Sequence, residues 1–172
     1  MLALAPFTLG DCDRLIGWVP DARFLMQWSG PQYRFPLTRE QLAQTFAATR
    51  QEPPAHLMFT VRESPGDRVV GHIELMRIDR AQRSGHVARV LIGEPDSRGR
   101  GLGTEMMKLL IAHSFGPLGL ETLTLGVFAF NVSAIACYRR LGFVSVDGPP
   151  LTRAFENESW DLLLMKLSKP AP

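Results

Sequence analysis

Apolar positions along the chain switch between two periods, and the switches mark the elements. Alternation or short apolar runs predict strands at "LALAPFT", "PPAHLMFTVRE", "RVVGHIELMRID", "SGHVARVLIGEP", "LETLTLGVFAF", "FVSVDG" and "SWDLLLMKL". Helical spacing predicts a short helix in "GDCDRLIGWV", where Asp11 can cap free backbone N–H groups, and a longer one in "TREQLAQTFAATR". In the second, Thr38 and Gln41 have capping-box spacing, and Leu42, Thr45, Phe46 and Thr49 follow at helical intervals. Two more helices are read from Gly101 to about His113 and in "NVSAIACYRRLG", and Ser64-Pro65-Gly66-Asp67 reads as a hairpin turn. The last two strands read as joined by a polar loop, no internal repeat is visible, and only the tail "SKPAP" looks unstructured.

This order predicts an α/β layout built on a mixed sheet. Two strand-to-helix crossovers place the fourth and fifth strands side by side and parallel, with a glycine-rich segment at the carboxyl end of the fourth. Ligands favour that edge.

Composition narrows the class. A length of 172 residues suits a single domain, residues 1–172, with one core. A net charge of +2 is too small to serve as a general footprint for nucleic acid, so any anion must be bound locally. Cys12 and Cys137 stand alone, which argues against a disulfide framework and a metal knuckle. No window approaches the roughly 20 apolar residues of a membrane span, and the amino terminus lacks the positive region of a signal peptide. A cytoplasmic protein with neither a metal nor a membrane partner is expected.

Candidate chemistry begins at "EPDSRGRGLGTEMMKLL". A helix whose first turn carries bare backbone N–H groups is an anion site, because the unsatisfied donors and the dipole both point at the ligand. The amides of Gly99, Arg100, Gly101, Leu102, Gly103 and Thr104 can surround a pyrophosphate, with Arg98 or Arg100 adding charge. A Walker A loop fails because no Gly-Lys-Ser/Thr closes the segment, and a dinucleotide fingerprint fails because its third glycine falls on Thr104 or Met106. Arg98-x-x-Gly101-x-Gly103 remains, against the alternative of a tight turn that binds nothing. In "NVSAIACYRRLGF", Asn131 stands at an N-cap, and Asn131, Ala134, Ile135 and Tyr138 share one helical face. The alternative there is a capped helix with Tyr138 as an ordinary buried aromatic.

Together, Arg98-x-x-Gly101-x-Gly103 and Asn131…Tyr138-x-x-Leu141-Gly142-Phe143 resemble the GNAT superfamily of acyl-CoA N-acyltransferases, over about Gly71 to Leu167. The segment "GHIELMRIDRAQRSGHVARVLIGEP" is similar to spermidine and RimJ/RimL-type acetyltransferases, and "FLMQWSGPQYRFPLT" to their substrate-capping helices. The resemblance implies a mixed, mostly antiparallel sheet of about seven strands, helices on both faces, and a splayed parallel pair at strands four and five. It implies acetyl-CoA as cosubstrate, its pantetheine arm in the gap between those strands. Leu91, Ile92 and Gly93 would give backbone contacts to the arm, and Gly99 to Thr104 would hold the pyrophosphate. Asn131 would meet the arm from the other side, and Tyr138 would sit beside the thioester sulfur and return a proton to it. Homodimers are common in such a family, with Trp160 as a candidate contact.

The implied reaction needs the acceptor amine to lose a proton, since a lysine-like amine has a pKa of about 10.4. Where relatives on the ribosomal-protein branch carry a glutamate on the fifth strand, this chain has Gly126. Glu74 is the best substitute, as base or as a site for a cationic substrate; the alternative is a solvated strand carboxylate. His86 is a weaker candidate, and His113, at a helix end where its charge suits the dipole, needs no function. A backbone N–H near Ile92 is the implied donor to the thioester oxygen. Trp18, Trp28, Tyr33 and Phe35 are candidates for the acceptor pocket, Trp28 and Tyr33 foremost. Cys137 points away from Tyr138 and is read as core. Arg23 to Arg39 contains no Asp or Glu, which argues against a polycationic acceptor. The reading is an acetyl-CoA-dependent N-acetyltransferase acting on a primary amine of a small molecule or peptide terminus. Its rivals are a non-catalytic acyl-CoA sensor and a nicotinamide-binding protein.

Overall fold

The computed structural model describes residues 1–170. In chain order the elements are β1 (Leu2–Pro6), α1 (Cys12–Gly17), α2 (Ala22–Ser29), α3 (Arg39–Ala48), β2 (Leu57–Glu63), β3 (Arg68–Asp79) and β4 (Ser84–Ile92). They continue as α4 (Leu102–Phe115), β5 (Thr122–Phe128), α5 (Val132–Arg140), β6 (Val144–Ser145), β7 (Leu151–Phe155) and β8 (Glu158–Ser168). All the strands join one 8-stranded sheet in the order β1-β2-β3-β4-β5-β8-β6, with β7 also paired to β8. The β4–β5 pair is the parallel one, and the other pairings are antiparallel.

Three expectations are corrected. The sheet has one strand more than the seven read, because β7 lies in the segment taken for a polar loop and pairs along β8 from Leu151↔Leu162 to Phe155↔Glu158. Its side chains are mostly exposed and carry no apolar alternation to announce a strand. The tail is not all irregular, since β8 runs through Ser168; residues 171–172 lie outside the described residues. The Thr38 capping box is only half formed: Thr38 accepts from the Gln41 amide at 3.3 Å, but the Gln41 side chain bonds Arg34 and Pro36 instead.

Each face of the sheet has its own core. On one, α4 presents Leu102, Met106 and Leu110 at four-residue spacing, with Met107 beside them, and packs on Val61, Ile73, Leu75, Leu123 and Leu125. Burial of each such side chain contributes about 1.5–3 kcal/mol. On the other, α1, α2 and α3 cover Met58 and Leu91 with Leu15, Leu25, Leu42 and Phe7. The site depends on a limited pairing between these cores. β4 and β5 pair from Ser84↔Thr122 to Val87↔Leu125 and then part, leaving a cleft between Ala88–Ile92 and Gly126–Phe128.

Candidate functional site

The glycine segment closes one end of this cleft. Gly99 and Gly101 have φ of 73° and 78°, the left-handed region that side chains disfavour. The turn starts α4 without a side-chain cap. Among the described residues no hydrogen bond reaches the amides of Gly99, Arg100, Gly101, Leu102 or Gly103, and a Cβ at Gly99 or Gly101 would meet nothing within 4 Å. Five bare donors around open space at a 14-residue helix's positive end fit a diphosphate.

Other residues expected there are engaged. Thr104 donates its amide to Gly101 at 3.0 Å, and its hydroxyl meets Cys137 Sγ at 3.1 Å. Arg98 donates to the carbonyls of Ile92 at 3.2 Å and Gly93 at 3.1 Å, which holds its charge beside the end of β4. Arg100 pairs with Glu63 at 2.7 Å. Gly93 gives its amide to Val70, so its backbone is committed as well. Its lack of a side chain serves Trp18: a Cβ would lie 1.8 Å from that ring. Trp18, bonded to Glu94 at 3.1 Å, therefore caps the end of β4 and lines no acceptor pocket.

From the loop a groove of about 300 Å³ runs between β4 and α5, lined by Val90, Ile92, Gly103, Ala134, Cys137 and Tyr138. Cys137 is half-buried along it and not in the core as expected. Val90, Asn131 and Tyr138 also line the next cavity, between Leu91 and Gly126, so the groove continues into the β4–β5 cleft. Asn131 caps α5 through Ala134 at 3.4 Å, with its side-chain amide left for another partner. Burial pushes the Tyr138 phenol up, and Cys137 beside it adds to this, so the group stays protonated at neutral pH.

Beyond Tyr138 lies a second cavity, lined among others by Gln27, Trp28, Arg77, His86, Arg89, Gly126 and Arg153. Trp28 lies here as expected, but three other acceptor candidates do not. Phe35 is exposed and lines neither cavity. Tyr33 is buried, bonds Thr45 at 2.9 Å, and lies flat under Arg89, whose guanidinium carbon is 4.4 Å from the ring centre. Desolvation, with Glu74 adding to it, pushes its phenol up to about 12.

Glu74 is corrected most. It is 0% exposed and does not face an open cleft. Its carboxylate accepts from His56 at 2.7 Å, His72 at 2.8 Å and Arg89 at 2.6 Å. Burial alone would raise this carboxyl, but the Arg89 guanidinium and the two histidines hold it well below the usual carboxylate range. Such a group is a poor proton acceptor near neutral pH. Among the described residues no cluster of His, Cys, Asp and Glu could hold a metal ion. His86 bonds Thr124 at 2.9 Å, and burial with the nearby Arg77 charge brings it down to about 4, so it is neutral at pH 7. His113 ends α4 against Phe59, away from the cleft.

Sequence reasoning missed Arg89, His56 and Gln32. Arg89 sits where β4 bulges: His72 pairs with Leu91 and Glu74 with Ala88, and Arg89 takes φ of 51°. The guanidinium also donates to Gln32, which with Glu74 and Tyr33 fixes it in place. A signal was present. In "GHVARVL" the buried positions Gly85, Val87, Arg89 and Leu91 alternate, and an arginine on an apolar strand face demands a buried carboxylate. Among the described residues His72 Nδ1 and Trp28 Nε1 are buried and unpartnered, with the rings 5.9 Å apart.

Comparison with known proteins places this geometry. Residues 1–144 match the family model "Acetyltransferase (GNAT) domain". Spermidine N(1)-acetyltransferase of Escherichia coli K12 is 35% identical over 97 residues, which are 56% of this chain and 50% of that protein. The chain thus spans about half the length of the curated relatives it matches. Spermidine N-acetyltransferase from Vibrio cholerae, solved with CoA and spermine, shares the fold with a TM-score of 0.82 at 20% identity, over 97% of this chain and 95% of that one. A dodecameric structure of that enzyme in an intermediate state gives 0.75 at 21% identity, over 97% and 93%. With the model covering most of its length, and the glycine turn, the parted strands and the Asn131–Tyr138 helix in place, the chain belongs to the GNAT acetyltransferase family.

Proposed function

We propose that the chain is an N-acetyltransferase that moves the acetyl group of acetyl-CoA to a primary amine by direct attack. One observation carries the reading: five bare amides stand at the head of the β4–α5 groove, and a protonated Tyr138 on α5 lines both that groove and the adjoining cavity between the parted strands. Acetyl-CoA, when bound, supplies the activated thioester. Gly99 to Gly103 bind its diphosphate, and Thr104, Arg98 and Gly93 shape that end of the groove. Leu91 and Ile92 border the arm on one side and Asn131 on the other.

The amine nitrogen forms a bond to the thioester carbon, the carbon–sulfur bond breaks, and sulfur leaves with the electron pair. Tyr138 gives its proton to that sulfur and is reprotonated from solvent. An ordinary phenol and thiol lie about 1.5 pKa units apart, and burial raises both in the same direction. The bulge takes Arg89 and Val90 out of the β3–β4 pairing, while Ile92 pairs with Gly71. Gly93 gives its amide to Val70, so Ile92 and Gly71 form a non-hydrogen-bonded pair and the Ile92 amide turns away from β3; it and the unpaired Val90 amide are the donors to the carbonyl oxygen. The proton lost by the amine goes to water, since Glu74 is sealed and position 126 has no side chain.

Self-association, as in the dodecameric relative, is part of the same proposal. Trp160 is buried against Phe128, Phe130 and Phe155, so the exposed Phe130 replaces it as the contact candidate. A thiol-release assay with acetyl-CoA and a panel of amines tests the enzyme reading. CoA release that depends on both an amine and Tyr138 supports it, whereas binding of acetyl-CoA with no release for any amine favours the sensor.

A further inference from the structure

We propose that the acceptor is a small amine that also carries an anionic group, and that Arg77 and Arg153, which line the second cavity beside the Glu74-paired Arg89, select it. The inference rests on the acetyl-transfer reading and deepens it. The cavity beyond Tyr138 is lined by three arginines and a histidine, and no aspartate or glutamate lines either it or the adjoining cavity. Glu74, the carboxylate paired with Arg89, is already held by Arg89, His56 and His72. Among the described residues neither Arg77 nor Arg153 pairs with a carboxylate; Arg153 bonds only the carbonyl of Thr152, at 2.9 Å.

The three come from separate parts of the fold. Arg77 lies on β3, where the register slips between Met76 and Asp79, and Arg89 on the bulge of β4. Arg153 lies on β7 opposite Trp160. Facing one space, Arg77 and Arg153, the two without a carboxylate partner among the described residues, repel a polyamine with several like charges and attract a carboxylate or phosphate, for which a guanidinium is a forked donor. They also act on the reacting group. A cationic wall disfavours an ammonium and favours the neutral amine, the nucleophilic form. It thus does part of the work of the base missing at Gly126. An anionic substituent keeps such an acceptor from being expelled while its amine is made neutral.

The test compares putrescine and spermidine with γ-aminobutyrate and phosphoethanolamine, the last two separating a carboxylate from a phosphate. The wild-type protein, R77E and R153E are each assayed for CoA release. Calorimetric binding to the CoA-saturated protein gives a readout independent of turnover. The expected result is kcat/KM at least about tenfold higher for an anionic amine than for putrescine. Each charge reversal should remove most of that preference by raising KM, with the thermal midpoint unchanged. Preference for spermidine or putrescine, or anionic amines that bind equally well to R77E and R153E, overturns the inference and leaves acetyl transfer standing. Tighter binding of anionic amines with no CoA release from any acceptor upholds the charge selection and overturns the enzyme reading alone.

Discussion

At the glycine turn, backbone donors stand bare in a stretch of five consecutive residues; on β3, Glu74 has three partners drawn from β3, β4 and the segment before β2. The first region is local in sequence, and in the proposed function the cofactor's diphosphate completes it. The second is assembled from distant segments, and its central carboxylate is satisfied by protein alone. A site for a common carrier can be written in contiguous backbone, whereas acceptor recognition is written in side chains that only the fold brings together. Substitutions should therefore fail differently in the two regions, by stability in one and by kinetics in the other.

The largest effect is expected from Glu74→Gln. It leaves Arg89 charged and buried without a counter-charge, so urea unfolding should show a loss of about 3–5 kcal/mol. The pH dependence has a definite sign. The folded carboxyl lies below its ordinary 4.5, so its contribution is full above that value and declines as pH falls through the acid range towards the folded pKa. Wild-type stability should fall on acidification and that of Glu74→Gln should fall less. Equal acid sensitivity of the two would break the contrast drawn here.

Next comes Tyr138→Phe, on the boundary between the regions. The hydroxyl has no hydrogen-bond partner among the described residues, so the fold loses little. Loss of a general acid should lower kcat about 100-fold or more with acetyl-CoA affinity retained. An unchanged kcat would remove Tyr138 from the mechanism.

Legibility followed the same division. The glycine turn, the α5 cap and the α4 apolar stripe each lie within a few residues of one another, so spacing alone placed them. Alternation with His72 along β3 tells which face Glu74 is on and says nothing of what covers it. α1, α2 and α3 supply that cover, and Tyr33 and Gln32 at the end of α2 complete it. Arg89 stands out as a charge among alternating apolar positions, but the bulge that aims it at Glu74 and Gln32 leaves no mark in that periodicity, so its partners were not legible. Trp18 was misplaced for a related reason: its partner is an absent side chain, at Gly93.

A smaller effect is expected at Gly101, whose φ of 78° costs an alanine about 1–2 kcal/mol while its Cβ meets no neighbour. Gly101→Ala should raise KM for acetyl-CoA, with kcat at saturation near that of the wild type. An unchanged KM would place the diphosphate elsewhere and erase the distinction between a ligand-dependent region and a self-satisfied one.

Arg98 gives the smallest and most discriminating change, because two roles assigned to it predict opposite results for lysine. As a charge for the diphosphate it is replaceable by another cation. As a clamp it needs a planar fork reaching the Ile92 and Gly93 carbonyls together, which a lysine ammonium does not reproduce. Arg98→Lys and Arg98→Ala should therefore lose a similar amount of stability, about 1 kcal/mol by chemical unfolding. Both should raise KM for acetyl-CoA alike, because the end of β4 that borders the arm is loosened in each. Rescue of KM by lysine would show that the charge acts directly on the ligand and that even the self-bonded side chains of the cofactor region await their partner.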